Sequence, residues 1–350
     1  MDAFWLHKEA APHWLRGLAR RKPVFFPQRA GRSGWRFLAV HERSELSFED
    51  YHPTIVPPGK KLLPAVETLF RFHPDDAGEP VIEPVVDPTS RILAGVRPCD
   101  LKAIDLMDRV HRHPPEDPHY RARRDPTTLI AIACPHPCDE RCFCEAVGSL
   151  NWRGNADLFL TPIGDSFLVE VQSEAGASLI DGESFHPCPD ARPHRIQAEA
   201  ARPKPFGRQF PRPMEHLAAT IAAQWSSPIW ERHVQRCFSC GSCNLVCPTC
   251  YCFDTRDESG LTNPQYGQRV RTWDACMLPR FAEVAGGHNF RPLPAGRQRH
   301  RVERKFDYLP RRFGDHSFCV GCGRCGRQCT ANIDIFSIIL DLAQPEETRS

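Results

Sequence analysis

Two short runs of cysteines are the residues of this chain best suited to chemistry. Residues 237–248 read CFSCGSCNLVCP and residues 319–329 read CVGCGRCGRQC, so the spacing C-x2-C-x2-C-x3-C occurs twice. This spacing is typical of bacterial ferredoxins, whose cysteine thiolates bind [4Fe–4S] clusters. Small residues such as Gly241, Gly321 and Gly323 let backbone N–H groups approach the cluster sulfides. The repeat therefore predicts two [4Fe–4S] clusters.

The fourth cysteine of each run is expected to bind the cluster of the other run, as in two-cluster ferredoxins. We therefore predict two ligand sets, each drawn from both runs. The first set is Cys237, Cys240, Cys243 and Cys329, and the second is Cys319, Cys322, Cys325 and Cys247. Such cross-ligation would hold the two clusters close enough for electron transfer.

Two other kinds of site have spacings that overlap these runs. Structural zinc uses paired C-x2-C knuckles, for which a third cysteine on the same turn is surplus. Cys243, Cys247 and Cys250 have the spacing of radical S-adenosylmethionine enzymes. That class usually has an aromatic residue where this chain has Thr249, and it leaves the second run unexplained. The ferredoxin interpretation accounts for both runs and is favoured.

A second group of cysteines lies in the first half of the chain. Cys99 follows the apolar stretch Arg91–Val96, and Cys134 follows the stretch Thr128–Ala133. The order strand, helix, strand predicts two parallel neighbouring strands. Both cysteines should then lie at the carboxyl edge of one sheet, where ligands of open α/β sheets bind.

These residues form a candidate third [4Fe–4S] site. Its predicted ligands are Cys99, Cys134, Cys142 and Cys144, and Cys138 is a substitute. Buried free thiols and a zinc site are the alternatives, because the spacing matches no standard signature. Cys188, Cys250, Cys252 and Cys276 remain. We expect the last three to be buried free cysteines near a cluster and Cys188 to be exposed. Shielding of the first cluster or service as spare ligands is the alternative for Cys250 and Cys252.

Residues 291–312 carry eight arginines and lysines against Glu303 and Asp307. A solvated face is the favoured interpretation of such a run. Compensation of the negative clusters and docking to an acidic partner are the two functional alternatives.

The elements that must position these residues fall into two predicted domains. The first is an N-terminal α/β domain over residues 1–205, and the second is an α-helical ferredoxin-like domain over residues 206–350. In the first, we predict a hairpin around the GRSG turn, a helix that Asp100 caps, and a strand pair over Leu158–Val171 with its turn at Gly164 and Asp165. Residues 186–213 predict an exposed connection. In the second, we predict helices over Met214–Val234 and Ile333–Ala343.

Composition narrows the class of protein. The 350 residues include 17 cysteines, an odd number and too small a share for a disulfide scaffold. A formal net charge of +2 gives no reason to expect a nucleic-acid partner. No apolar run approaches the length of a membrane span, and the N-terminal residues lack the pattern of a signal peptide. We expect a cytoplasmic protein, in which reduced thiols hold metal.

Several segments together resemble the iron–sulfur beta subunit of cytoplasmic sulfhydrogenases and, equally, the corresponding iron–sulfur subunit of anaerobic sulfite reductases: GVRPCDLKAIDLMDRV, DPHYRARRD, CFCEAVG, CGSCNLVCPTCYCFD, WDACMLPRFAEVAGGHNFRP and CVGCGRC…NIDI. The resemblance implies an α-helical ferredoxin domain with two clusters after an α/β domain. It also implies a complex with two further components, a flavin- and NAD(P)H-binding subunit on one side and a catalytic hydrogenase or reductase subunit on the other. In that family Cys99, Cys134, Cys142 and Cys144 correspond to the usual N-terminal cysteines, and Cys138 is less regular.

We therefore expect a non-catalytic subunit that relays electrons between the flavin-binding component and a catalytic unit such as a [NiFe] hydrogenase. The alternative is a catalytic or substrate-binding subunit of a sulfite or sulfur reductase, with its site in the N-terminal crevice.

Overall fold

The computed structural model describes residues 2–31, 34–49 and 51–344. Its strands are β1 (Ala3–His7), β2 (Val24–Ala30), β3 (Gly34–Ala39), β4 (Val66–Pro74), β5 (Pro80–Pro84), β6 (Arg91–Val96), β7 (Thr127–Ile132), β8 (Leu158–Ile163), β9 (Ser166–Val171), β10 (Phe185–Pro187), β11 (Phe253–Ser259) and β12 (Gly267–Trp273).

Within the described residues, every α-helix except the first follows β6 in the chain. The α-helices are α1 (Ala11–Ala19), α2 (Pro98–Arg112), α3 (Pro118–Arg124), α4 (Glu174–Ala177), α5 (Ala191–Ala200), α6 (Met214–Ala223), α7 (Ile229–Val234), α8 (Ser242–Leu245), α9 (Pro294–Glu303), α10 (Leu309–Phe313), α11 (Arg324–Arg327) and α12 (Ile335–Ala343). A 3-10 turn spans Pro58–Lys61, and a π-helical turn spans Arg304–Tyr308.

The larger sheet has the strand order β10-β1-β9-β8-β7-β6-β2-β3. Its centre is parallel, because β2, β6, β7 and β8 run in one direction, and its outer pairs are antiparallel. Every residue of β6 and β7 is buried. Ile92 and Ile130 pack into the core on one face and Leu93 and Leu129 into the core on the other, as expected for a sheet covered on both faces.

The predicted βαβ unit is confirmed. β6 and β7 are parallel neighbours, with Leu93 opposite Leu129, and α2 connects them through α3. The predicted helix cap is wrong. Arg97 occupies the N-cap position and Asp100 lies in the first turn, where its carboxylate is free to bind a distant arginine.

Both predicted strand pairs are confirmed. β2 and β3 are antiparallel, although Arg32 and Ser33 of the GRSG turn lie outside the described residues. β8 and β9 are joined by Gly164 and Asp165, where the positive φ of 53° at Gly164 permits the tight turn.

A smaller sheet joins distant parts of the chain in the order β11-β12-β4-β5. Its hairpin β11–β12 comes after the first cysteine run, whereas β4 and β5 come from residues 66–84. The sequence analysis did not predict this hairpin. The domain boundary at residue 205 stays a prediction, and this sheet contains strands from both sides of it.

The later part of the chain contains the helices α6 to α12 beside the β11–β12 hairpin, and it differs from the predicted helices in two ways. The expected helix over Met214–Val234 is broken into α6 and α7, and Pro228 lies at the break, where it has no N–H to continue the helix. The expected connection over residues 186–213 contains α5. α12 begins one residue after Asp334, whose side chain accepts a hydrogen bond from Phe336 N. In the described part of the chain, no helix combines the length and apolar character needed to span a membrane.

Candidate iron–sulfur sites

The two cysteine runs fold in the same way. Ser239 and Gly321 occupy the same position in their runs and have φ angles of 54° and 67°. Gly241 and Gly323 follow two residues later with φ angles of 73° and 71°, and each precedes a one-turn helix, α8 or α11. The sequence repeat is therefore also a repeat of backbone conformation.

The second run rests on the N-terminal cysteine segment. Phe143 N donates a hydrogen bond to Gly321 O at 2.8 Å. A Cβ atom at Gly321 would lie 2.5 Å from the Phe143 carbonyl, and one at Gly323 would lie 2.8 Å from the Arg141 carbonyl oxygen. Glycine is therefore required here by close approach as well as by positive φ.

The first predicted ligand set lines one cavity. Cys237, Cys240 and Cys243 of the first run share it with Cys329 of the second, as cross-ligation requires. Backbone N–H groups point at two of these sulfurs: Ser239 N lies 3.4 Å from Cys237 Sγ and Ile333 N lies 3.3 Å from Cys329 Sγ. Hydrogen bonds of this kind are typical of cluster ligands and influence the reduction potential.

The second predicted ligand set lies deeper in the protein. Burial raises the pKa of Cys322 to about 11, and burial together with the other thiols raises that of Cys319 as well. Lys305 interacts electrostatically with Cys247 and Cys319. Its Nζ atom donates to Thr249 Oγ1 at 2.8 Å, and that hydroxyl lies 3.5 Å from Cys247 Sγ. Lys305 thus places a positive charge near these thiols. This charge favours the thiolate form, which burial alone would disfavour.

The N-terminal cysteines are brought together at one edge of the sheet. Cys99 is in the first turn of α2, and Cys134 follows β7. The Cys134 thiol lies beside that of Cys138, and the Cys142 thiol lies beside that of Cys144. Interaction with the Cys144 thiol lowers the pKa of Cys142 to about 6. The structure therefore places the four predicted ligands in one region and adds Cys138 to them.

A crevice opens next to these cysteines. It has a volume of about 170 Å³ and is lined by Glu49, Tyr51, His52, Arg97, Cys134, Pro135, His136 and Cys138. Arg97 lies over the Tyr51 ring at 3.9 Å and donates to the Ala133 carbonyl at 3.1 Å.

A buried ion pair joins the N-terminal region to the second run. Arg324, which stands between Cys322 and Cys325, binds Asp100 through Nη1–Oδ1 and Nη2–Oδ2 contacts of 2.6 and 2.7 Å. Only 2% and 3% of the two side chains are exposed. Asp100 follows Cys99 directly, so this pair places Cys99 next to the Cys322 loop.

The basic run is not the solvated face that was the favoured interpretation. Arg297, Arg301 and Lys305 are buried, whereas Arg311 is largely exposed. The Arg301 guanidinium lines the cavity of the first ligand set, and its Nε and Nη2 atoms have no hydrogen-bond partner among the described residues. Compensation of cluster charge fits these buried cations better.

Two expectations about the remaining cysteines can be compared with the structure. The predicted exposure of Cys188 is wrong, because it is 5% exposed and packs with Ala3 and Leu168. Of the three cysteines expected to be buried, Cys276 is buried, whereas Cys250 and Cys252 are half-buried. The three share a cavity that the sequence analysis did not predict. The pattern CPTCYC places Cys250 and Cys252 close together in the sequence, but no local pattern links Cys276 to them. Among the described residues, no three or more His, Cys, Asp or Glu side chains converge tightly enough for a single metal ion.

The chain is similar to known proteins. Residues 236–333 match the family model described as a 4Fe-4S dicluster domain. Over 338 residues, the chain is 32% identical to sulfhydrogenase 2 subunit beta of Pyrococcus furiosus, with 95% of this chain and 96% of that protein covered. No solved structure matches the chain.

Proposed function

We propose a specific electron-relay role for this chain, starting from the fact that it belongs to the family of sulfhydrogenase beta subunits and carries a 4Fe-4S dicluster domain. In this role it passes single electrons from a flavin- and NAD(P)H-binding subunit to a catalytic redox subunit such as a [NiFe] hydrogenase, or in the reverse direction. The observation that carries the proposal is the meeting of Cys329 with Cys237, Cys240 and Cys243 in one cavity.

The residues proposed to hold the clusters form three sets. They are Cys237, Cys240, Cys243 and Cys329; Cys319, Cys322, Cys325 and Cys247; and Cys99, Cys134, Cys142 and Cys144. Bound clusters supply one-electron carriers. The chain contributes the N–H groups at the sulfurs, the buried cations that offset negative charge, and a matrix that excludes water.

The spatial order of the three sets supports a relay. Cys99 lies next to the Cys322 loop, and cross-ligated sets would be neighbours because each would contain cysteines from both runs. At the far end, Cys240 is exposed and the neighbouring Phe238 is 74% exposed. A redox partner could therefore approach the first set from solvent.

The reduced state of these many thiols suits the cytoplasm, which we propose as the compartment.

A second candidate function rests on the crevice beside Cys134. Its arginine and two histidines are groups that could bind an anionic substrate such as sulfite. In that case the N-terminal cysteines would serve a catalytic or substrate-binding subunit of a sulfite or sulfur reductase.

One experiment separates these functions. The full chain is reconstituted anaerobically, its iron is measured, and it is titrated with a reductant in the absence of other subunits. A relay is expected to accept one electron for each bound cluster. It should neither oxidise NAD(P)H with sulfite or sulfur nor reduce NAD(P)+ with hydrogen. Turnover by the isolated chain would contradict the relay. About eight iron atoms per chain would contradict the third set.

A further inference from the structure

A cavity that borders the second proposed set is rich in sulfur, and in it the Cys250 thiol lies beside the thiol of Cys247. We call it the Cys276 cavity; it is lined by Asn244, Thr249, Cys250, Tyr251, Cys252, Cys276, Arg301, Arg304, Lys305 and Leu309. We propose that Cys250, Cys252 and Cys276 bind a further iron–sulfur cluster there, with three cysteine ligands and one position for a ligand that is not a cysteine.

The three thiols come from two segments that the fold holds together. Cys250 and Cys252 follow the first cysteine run, and Cys276 lies three residues after β12. Asp274 N donates to Cys252 O at 3.0 Å, and Trp273 Nε1 donates to Leu63 O at 2.9 Å. The smaller sheet therefore fixes the segment that carries Cys276 against the turn that carries the other two.

A buried amide is aimed at two of the sulfurs. Asn244 is 1% exposed, and its Nδ2 atom donates to Cys276 Sγ at 3.2 Å and to Cys250 Sγ at 3.5 Å. The Cys252 thiol lies beside the Cys276 thiol. Amide hydrogen bonds to thiolate sulfur are the kind of contact that surrounds bound clusters.

The lining of the Cys276 cavity carries strong positive charge. Arg301, Arg304 and Lys305 contribute three cations, and no aspartate or glutamate is among the lining residues. Arg301 and Lys305 are 3% and 4% exposed, and two nitrogens of Arg301 have no hydrogen-bond partner among the described residues. Buried cations without anionic partners are costly.

An anionic occupant removes this cost. Arg301 also borders the cavity of the first ligand set, so a cluster there offsets part of its charge. Arg304 does not line that cavity, and Lys305 interacts with Cys247 and Cys319 of the second set as well as with Cys250. A cluster held by three thiolates is negatively charged and would share this lining with Arg301, Arg304 and Lys305.

The test compares serine variants of the full chain, reconstituted anaerobically. C252S and C276S are each expected to lose about three to four iron atoms per chain relative to the unmodified protein. Each should also lose one signal from the electron paramagnetic resonance spectrum. C188S is the matched control, because Cys188 is buried but packs in a different cluster of side chains, and it should keep its full iron content.

Circular dichroism and the remaining cluster signals identify any variant that fails to fold, and the less buried Cys252 provides the safer substitution. Unchanged iron in folded C252S and C276S would overturn the proposal. So would one zinc ion per chain or a Cys252–Cys276 disulfide in the anaerobic wild-type protein. These outcomes are independent of the relay, since the eight ferredoxin-type cysteines are intact in every variant.

Discussion

At the scale of single residues, buried charges decide how the two cysteine regions fit together. Arg324 lies inside the second run and has Asp100 as its carboxylate partner. Thr54 O accepts another hydrogen bond from Arg324 Nε at 2.7 Å. Removing one partner of such a pair leaves an unpaired buried charge, which is far more destabilising than the pair is stabilising.

We therefore expect D100N to lower the free energy of unfolding by about 3–5 kcal/mol. The measurement is the loss of cluster absorbance during anaerobic denaturant titration. E42Q breaks the exposed Arg20–Glu42 ion pair at 2.7 Å and should leave the curve unchanged. Equal behaviour of D100N and E42Q would mean that the buried pair does not hold the regions together.

Glu303 makes the stability of the folded protein depend on pH. Its side chain is buried, and burial together with the nearby Asp307 raises its pKa from 4.5 to about 7. The folded state therefore holds this proton more tightly than the unfolded state. Its contribution to stability is complete below pH 4.5 and is lost as the pH rises through about 7.

E303Q should accordingly be more stable than the wild type at pH 8, by an amount of the order of 2 kcal/mol. The difference should shrink steadily as the pH falls toward 5. Denaturation curves of both proteins across this range measure it. A difference that does not vary with pH would show that Glu303 stays ionised in the folded protein.

At the scale of elements, the proposed cross-ligation would make each cluster depend on both cysteine runs. C329S should therefore remove a cluster whose other ligands belong to the first run, and C247S one whose other ligands belong to the second. The two variants can be told apart because Cys240 of the first set is exposed, whereas Cys247 of the second is buried.

We expect C247S to keep the cluster that an added oxidant attacks fastest, and C329S to lose it. Stopped-flow oxidation with an anionic complex such as ferricyanide measures this difference. C188S again serves as the control with normal kinetics. Loss of the fast phase in C247S, with its retention in C329S, would mean that each run binds its own cluster.

At the scale of the whole molecule, the sequence predicted features that depend on neighbouring residues far better than contacts between distant segments. The spacing of cysteines on one turn and the βαβ order around Arg91–Ile132 depend on neighbouring residues, so the sequence expresses them directly. The burial of Arg301 and the position of Cys276 depend on how separate segments pack. The β11–β12 hairpin escaped prediction because its exposed first strand, Phe253–Ser259, has no apolar alternation to reveal it.

Contact between the N-terminal segment and the second run can be tested at a single glycine. G321A places a methyl group 2.5 Å from the Phe143 carbonyl at a φ of 67°, so it should displace the segment with Cys142 and Cys144. We expect at least 1–3 kcal/mol of destabilisation, on the order expected for a strained residue, and reduced iron content. G17A, where the added atom meets nothing within 4 Å, should be neutral or slightly stabilising. Identical iron content in both variants would contradict this account.

The proposed cross-ligation would also determine when each cluster site becomes complete during translation. When the ribosome has made Cys243, the first set still lacks Cys329, which is translated seconds later at roughly 5–20 residues per second. Throughout that interval the nascent chain exposes three unsatisfied thiols, and the glycine-rich turn that supports Cys142 and Cys144 does not yet exist. With this proposed ligation, cofactor delivery would be largely post-translational, and a prematurely terminated chain would offer the cell's insertion machinery no complete ferredoxin-type site.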